Sequence, residues 1–223
     1  MREPSLLLVT DGSGDVRRLE EVVRAARRGG LSAVQLREPR LRDRALFDLA
    51  RRLRDLFPPG EGTLLVNDRV DVALASGADG VQLGFRSFAA ASARLLLGRG
   101  GLVGVSVHSV EEARRTGGAD FAIFGPVFAT PSKEGILPPR GLEGLRRAVE
   151  ESAVPIVAIG GLDPDRARAC ARAGAAGIAC IRAIFSAADP GEAARSLRAA
   201  FEKGREGRRP SSRPDAPGGP EYA

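Results

Sequence analysis

One loop of this chain concentrates side chains that can hold a phosphate group. Thr130 and Ser132 supply hydroxyl groups and Lys133 supplies an ammonium group, all within a few positions. Short hydroxyl donors beside a compact cation are suitable ligands for phosphate oxygens. The apolar run 121–124 precedes the loop and a helix-like pattern follows at 141–146, so the loop connects a strand to a helix. A stiff surface loop with a solvated lysine is the alternative interpretation.

The pair Gly160-Gly161 is a second candidate phosphate site. Asp163 is a suitable N-cap and Pro164 a suitable first helical residue, so a helix is predicted to begin directly after the pair. The two glycines would let backbone N–H groups at that helix start approach an anion closely. Arg182 could add a bidentate contact to the same phosphate. A tight turn without a ligand is the alternative.

Asn67 and Asp68 place an amide and a carboxylate side by side. Mg²⁺ is usually held by one or two carboxylates, and phosphate oxygens and waters complete its shell, so Asp68 is a candidate metal ligand. Either side chain could instead cap a helix. His108 is the only histidine. Because no carboxylate motif accompanies it, we interpret it as structural or adjacent to substrate.

Eight apolar runs alternate with segments of helical period. The predicted strands are 6–9, 33–36, 63–66, 80–83, 102–105, 121–124, 155–159 and 177–181, and the predicted helices are 16–26, 43–53, 70–76, 88–97, 110–116, 141–151, 164–173 and 192–202. Continuous apolar strands, each followed by a helix, are typical of a parallel sheet covered by helices. This pattern predicts an α/β fold, a single (β/α)8 TIM barrel. An open doubly wound sheet is disfavoured because no glycine-rich dinucleotide fingerprint follows the first strand.

The barrel is predicted to occupy residues 1–203. The segment 204–223 is rich in Pro, Gly, Ser and Arg and buries too little apolar surface to fold, so we predict a disordered tail. Active sites of such barrels lie at the carboxyl ends of the strands. The polar residues after the predicted strands would therefore meet at one rim.

Composition restricts the possible partners. The net charge is +6, but the cations are spread over predicted helices and the chain has no Trp and a single Tyr, which disfavours a nucleic-acid partner. No apolar run reaches the length of a membrane span, and the first run is too short for a signal peptide, so we expect a cytoplasmic protein without a membrane partner. Cys170 and Cys180 match no metal or redox motif and are predicted to be buried free thiols.

Several short motifs occur together and in order along the chain. They are Val9-Thr10-Asp11, Val34-Gln35-Leu36-Arg37-Glu38, Val66-Asn67-Asp68-Arg69, Gly104-Val105-Ser106-Val107-His108, Phe124-Gly125-Pro126, Thr130-Pro131-Ser132-Lys133 and Ala158-Ile159-Gly160-Gly161. Taken together they resemble the thiamine phosphate synthase / thiazole tautomerase (TenI-like) superfamily. The resemblance covers residues from about 6 to 200 and implies a (β/α)8 barrel.

The resemblance also implies an activity and roles for matched positions. The family's synthases are transferases that join hydroxymethylpyrimidine pyrophosphate to thiazole phosphate, with release of pyrophosphate and with Mg²⁺ as cofactor. The implied roles are pyrimidine pyrophosphate binding by Gln35, Arg37 and Asn67, Mg²⁺ binding by Asp68, contact with the pyrimidine by Ser106, phosphate binding by Thr130, Ser132 and Lys133, and thiazole phosphate binding by Gly160, Gly161, Ile181 and Arg182. Ser106 and Lys133 are the implied catalytic residues. A homodimer is a possible assembly.

Three positions depart from the family's patterns and leave alternatives open. Pro39 stands where synthases usually carry a lysine, and Ser87 stands near the place of a second Mg²⁺-binding aspartate. Arg40 or Arg86 could replace the lost charge. Pro126 stands where tautomerases carry a catalytic histidine, as it does in synthases. The leading hypothesis is a synthase; a thiazole tautomerase and a non-catalytic binder of phosphorylated ligands are the alternatives.

Overall fold

The computed structural model describes residues 5–84, 87–130 and 137–207. Eight strands form a closed barrel in the order of the sequence. The strands are β1 Leu6–Val9, β2 Ala33–Leu36, β3 Thr63–Asn67, β4 Gly80–Leu83, β5 Leu102–Val107, β6 Phe121–Phe124, β7 Ile156–Ile159 and β8 Gly177–Cys180. Each neighbouring pair is parallel, including the closure of β1 on β8. The predicted (β/α)8 TIM barrel is therefore confirmed.

Helices follow the strands and cover the outside of the barrel. Within the described residues they are α1 Val16–Arg28, α2 Asp43–Leu56, α3 Val70–Ser76, α4 Ala90–Leu97, α5 Val110–Ala113, α6 Gly141–Glu151, α7 Pro164–Arg172, α8 Arg182–Phe185 and α9 Pro190–Glu206. The short helix α8 was not predicted, because four residues are too few for helical periodicity to show.

The last helix extends beyond the boundary predicted at residue 203. It begins at Pro190, where Asp189 accepts hydrogen bonds from the N–H groups of Gly191 and Glu192, and it continues to Glu206. Gly204 is buried against α7, because a Cβ there would come within 2.5 Å of the Arg168 carbonyl oxygen. The start of the segment predicted as a tail is therefore helical, and residues 208–223 lie outside the described residues.

The core has two layers separated by the barrel wall. Alternate strand residues point to opposite sides of the sheet. Leu6 and Leu8 pack with the helices in the outer layer, whereas Leu7 and Val9 point into the barrel. The barrel interior also contains Ala33, Leu65, Phe121, Ile123, Val157 and Ala179. These side chains close the barrel below the rim, so a ligand can enter only at its carboxyl end.

The repeated sequence Gly-Ala-Asp joins two helix ends to the strands that follow. Asp79 accepts a hydrogen bond from the Leu64 N–H, and Asp120 accepts one from the Val103 N–H. Each carboxylate therefore holds the first residues of the preceding strand. Among the described helices, none is long and apolar enough to cross a membrane.

Candidate active site

A cavity of about 680 Å³ opens at the carboxyl ends of the strands. Residues at or just after the ends of most strands line it, which is the arrangement expected for a barrel enzyme. The predicted site residues in its lining are Gln35, Arg37, Asn67, Ser106, Thr130, Gly160, Gly161, Ile181 and Arg182. Asp68 follows Asn67 but does not line the cavity. Ser132 and Lys133 lie outside the described residues.

Arg37 is held at the rim by the neighbouring β1 segment. Its backbone N–H donates to the hydroxyl of Thr10, with 2.8 Å between nitrogen and oxygen. The next residue, Glu38, is buried and accepts hydrogen bonds from the N–H groups of Gly12 and Gly14. The ends of β1 and β2 are thus tied together, and Arg37 extends from a fixed backbone into the cavity.

Ser106 is oriented by Gln82, a residue to which the sequence analysis assigned no role. The Gln82 Nε2 atom donates to the Ser106 Oγ atom at 3.1 Å. Gln82 is 1% exposed and lies within the otherwise apolar strand β4. A polar side chain in the middle of a buried strand was the available signal, because such groups need a specific partner. The accepting Ser106 oxygen keeps its own proton for a ligand in the cavity.

Asp68 has an unusual backbone conformation and several hydrogen-bond donors around its carboxylate. Its φ angle is 61°, in the left-handed region. The Asn67 side-chain amide donates to Oδ2 at 2.7 Å, and the N–H of Gly84 and the hydroxyl of Ser87 donate to Oδ1. Neither Asn67 nor Asp68 caps α3, whose N-cap is Arg69 without a side-chain bond. The helix-cap alternative is therefore wrong for both residues.

The donors around Asp68 suit Mg²⁺ in chemical type. The exposed Asp68 carboxylate and the adjacent Ser87 hydroxyl both offer hard oxygen atoms. Within the described residues, no group of three or more His, Cys, Asp or Glu side chains could hold a metal ion. A site with one carboxylate fits Mg²⁺ only if phosphate oxygens and waters complete its shell, and Mg²⁺ commonly binds in that way.

The glycine pair after β7 has a conformation that favours glycine. The φ angles of Gly160 and Gly161 are +108° and +62°. A Cβ on Gly161 would lie 2.4 Å from the carbonyl oxygen of Ala129, which follows β6. The Phe128 N–H also donates to the Gly160 carbonyl oxygen at 3.2 Å. The two predicted phosphate loops, after β6 and after β7, are therefore in direct contact.

His108 has a carboxylate partner that the sequence analysis did not assign. Its Nδ1 atom lies 3.5 Å from Oε2 of Glu112, and its backbone N–H donates to the same oxygen at 2.6 Å. The imidazole lines the cavity next to Ser106. The statement that no carboxylate motif accompanies His108 was therefore wrong; the spacing of four residues at the start of α5 was the overlooked signal.

Both cysteines are buried free thiols, as predicted. Burial raises the pKa of Cys180, which lines the cavity, to about 12. Burial, with a smaller effect of the Asp163 carboxylate, raises the pKa of Cys170 to about 12 as well. Because the thiolate is the nucleophilic form, neither side chain is suited to nucleophilic chemistry near neutral pH.

Known proteins with the same sequence features give this cavity a family. The family model described as thiamine monophosphate synthase matches residues 6–184. A thiamine-phosphate synthase from Chloroflexus aurantiacus is 45% identical over 197 residues, which cover 87% of this chain and 91% of that protein. One from Moorella thermoacetica is 43% identical over 201 residues, with 89% and 96% covered.

A solved structure agrees with these relatives. The thiamine phosphate pyrophosphorylase from Pyrococcus furiosus superimposes with a TM-score of 0.78 at 38% sequence identity, and the match covers 90% of this chain and 96% of that one. Family, relatives and fold thus agree over the barrel that carries the cavity. The chain therefore belongs to the thiamine monophosphate synthase family and is a transferase of thiamine biosynthesis.

Proposed function

We propose that the cavity joins hydroxymethylpyrimidine pyrophosphate to thiazole phosphate and releases pyrophosphate. The observation that carries this proposal is the convergence of Arg37, Asn67, Ser106 and the Gly160-Gly161 loop on one cavity. This set combines donors for two phosphorylated ligands with room for two rings. A volume of about 680 Å³ lies within the range of ordinary small-molecule sites.

The pyrophosphate of the pyrimidine substrate would bind near β2 and β3. Arg37 would neutralise charge on its oxygens, and Asn67 would donate from its side-chain amide. Asp68 and Ser87 would hold Mg²⁺ beside them. When bound, Mg²⁺ would neutralise part of the charge that develops on departing pyrophosphate. Ser132 and Lys133, in the loop after β6, would bind phosphate together with Thr130.

The two rings would lie between these phosphate sites. Ser106, oriented by Gln82, would donate to the pyrimidine, and Gln35 would contact the same substrate. The phosphate of the thiazole substrate would bind at Gly160, Gly161 and the segment Ile181–Arg182. Loops after the last two strands of such barrels commonly hold phosphate. The cavity would thus align the thiazole nitrogen with the pyrimidine methylene carbon.

The chemistry follows from what these residues can stabilise. The bond between the methylene carbon and the pyrophosphate oxygen breaks, and both bonding electrons leave with pyrophosphate. The pyrimidine stabilises the resulting cation, and the thiazole nitrogen then attacks it to form the new C–N bond. No strong base is needed, so catalysis depends on leaving-group neutralisation and alignment. The protonated state of Cys180 is consistent with a mechanism without a thiolate nucleophile.

Thiazole tautomerase activity is the alternative that the assay must separate. Its basis is Ser87, which stands near the place of the second metal-binding aspartate of synthases. Against it, Pro126 lines the cavity where tautomerases carry their histidine. A further proposal is a cytoplasmic location, which two free cysteines support because reduced thiols are usual in that compartment.

The test is formation of thiamine phosphate by the purified full chain with both substrates. We expect product with Mg²⁺, loss of product with a chelator, and recovery when Mg²⁺ is added back. Lys133→Ala should lower kcat/KM by about 10- to 100-fold, since a hydrogen bond to a charged group is worth that much. Lys203→Ala, an exposed lysine on α9, is the matched control and should change kcat/KM less than about twofold.

The outcomes separate the candidate functions. Product that does not require Mg²⁺ would remove the metal role proposed for Asp68 and Ser87. Absence of product, together with isomerisation of a thiazole carboxylate phosphate, would replace the synthase by a tautomerase. Binding of thiazole phosphate with neither reaction would identify a non-catalytic binder.

A further inference from the structure

Arg166 lines the cavity beside Gly161 and has no role in the reaction as described so far. It lies in the first turn of α7, where its backbone N–H donates to Oδ1 of the N-cap Asp163 at 2.8 Å. Side chains on a helix lean toward its N-terminus. The guanidinium group therefore lies near the loop after β7, which is predicted to bind phosphate.

Three contacts hold the Arg166 guanidinium in that position. Its Nη1 atom donates to the carbonyl oxygen of Gly161 at 2.7 Å. Its central carbon lies 5.0 Å from the centroid of the Phe128 ring, which is within the range of a cation–π contact. Its Nε atom lies 3.3 Å from Oδ2 of Asp163. One side chain thus touches both phosphate loops, after β6 and after β7.

The guanidinium group retains the capacity to bind a ligand. An arginine has five N–H donors in a planar fork. The contacts above use Nη1 and Nε, and no residue in the described ranges accepts a hydrogen bond from Nη2. The side chain is 47% exposed. The ion pair with Asp163 is open to solvent, so it contributes little and does not exclude a phosphate.

We propose that Arg166 binds the phosphate of the thiazole substrate and makes the site specific for the phosphorylated form. The inference rests on the proposed function, because it concerns the second substrate of that reaction. A phosphate monoester at the Gly160-Gly161 loop would meet N–H groups at the start of α7 and the cation of Arg166. Arg182 also lines the cavity and would provide a second cation. A planar fork held by Phe128 matches two phosphate oxygens at once, whereas a neutral alcohol would gain nothing from it.

The test compares Arg166→Ala, Arg166→Lys and Phe128→Leu in the full chain with Mg²⁺ present. For Arg166→Ala we expect the KM for thiazole phosphate to rise about tenfold or more, the size expected for one charged hydrogen bond. The KM for the pyrimidine pyrophosphate should change less than about twofold, because that substrate binds elsewhere. The preference for thiazole phosphate over the thiazole alcohol should fall by the same factor. Arg166→Lys and Phe128→Leu should give intermediate losses.

Arg168→Ala is the matched control, because Arg168 lies on the same helix, pairs with Asp165 and is absent from the cavity lining. It should leave both KM values unchanged. Calorimetric titration with thiazole phosphate alone gives a readout without turnover. If the chain makes no product but Arg166→Ala weakens this binding, the inference stands and the proposed function fails. If the chain is active and Arg166→Ala raises both KM values equally, or neither, the inference is overturned.

Discussion

Cys170 and Cys180 illustrate how surroundings determine the chemistry of a residue. Burial raises the pKa of each thiol from 9.0 to about 12. The unfolded chain therefore releases two protons, at a pH where the folded chain keeps them. The stabilisation is complete below the pKa of the unfolded thiols and is lost as pH rises toward the folded pKa.

This difference predicts a pH dependence of stability above pH 9. Each thiol should lower the free energy of unfolding by about 1.4 kcal/mol per pH unit between the two pKa values. Urea denaturation at several pH values between 8 and 10.5 measures it, with the Cys170→Ala Cys180→Ala double variant as reference. The wild-type stability should fall more steeply than that of the variant. Parallel curves for the two proteins would contradict the raised pKa values.

The Arg54–Asp79 pair shows how single residues hold an element. Arg54 on α2 donates through Nη1 to Oδ2 of Asp79 at 2.8 Å and to the Gly77 carbonyl oxygen at 3.2 Å. The side chains are 9% and 17% exposed. Asp79 accepts the Leu64 N–H as well, so one carboxylate connects α2, β3 and the end of α3.

Asp79→Ala should therefore destabilise the barrel strongly. It would leave the Arg54 charge buried without its partner, which costs about 3–5 kcal/mol. The measurement is the free energy of unfolding from urea denaturation at pH 7. Glu21→Ala, which breaks the exposed pair with Arg17, is the matched control and should cost less than about 1 kcal/mol. Equal losses in the two variants would show that burial does not make the Asp79 pair important.

The molecule has one kind of surface that its net charge does not explain. Leu95 and Leu96 on α4 are 86% and 61% exposed, and Leu74 on α3 and Phe88 before α4 are 53% and 46% exposed. The cation of α4, Arg94, pairs with Asp120. A face without unpaired charge can meet its own copy across a twofold axis, whereas the other surfaces of a chain with net charge +6 repel one another.

We expect a homodimer formed by this α3–α4 face, with a second copy of the chain as partner. Changing Leu95→Glu and Leu96→Glu together should weaken the dimer by roughly 100-fold or more, since burying each leucine is worth about 1.5–3 kcal/mol. Sedimentation velocity over a range of concentrations measures the dissociation constant. Arg17→Glu on α1 is a charge-changing control that should leave the dimer intact. A wild-type chain that sediments as a monomer at high concentration would contradict the expectation.

The fold could be predicted from the sequence because its signals are local. Runs such as Leu6–Val9 and Phe121–Phe124 were correctly bounded, since continuous apolar residues between helical segments leave few alternatives to buried parallel strands. The ends of α9 were wrong because packing determined them: Asp189 caps its start, and Gly204 lets its last turn approach α7. Periodicity in a single helix carries no information about such contacts.

The sequence by itself determined the barrel, the rim at which polar side chains meet, and the identity of the residues in the cavity, such as Arg37 and Ser106. These properties depend on residue type and on order along the chain. Only the tertiary structure decided which side chains act together. The Gln82–Ser106 bond and the contact of Arg166 with Phe128 join residues 24 and 38 positions apart. Such pairs form because neighbouring strands and loops of a closed barrel meet in space, and no local pattern encodes that distance.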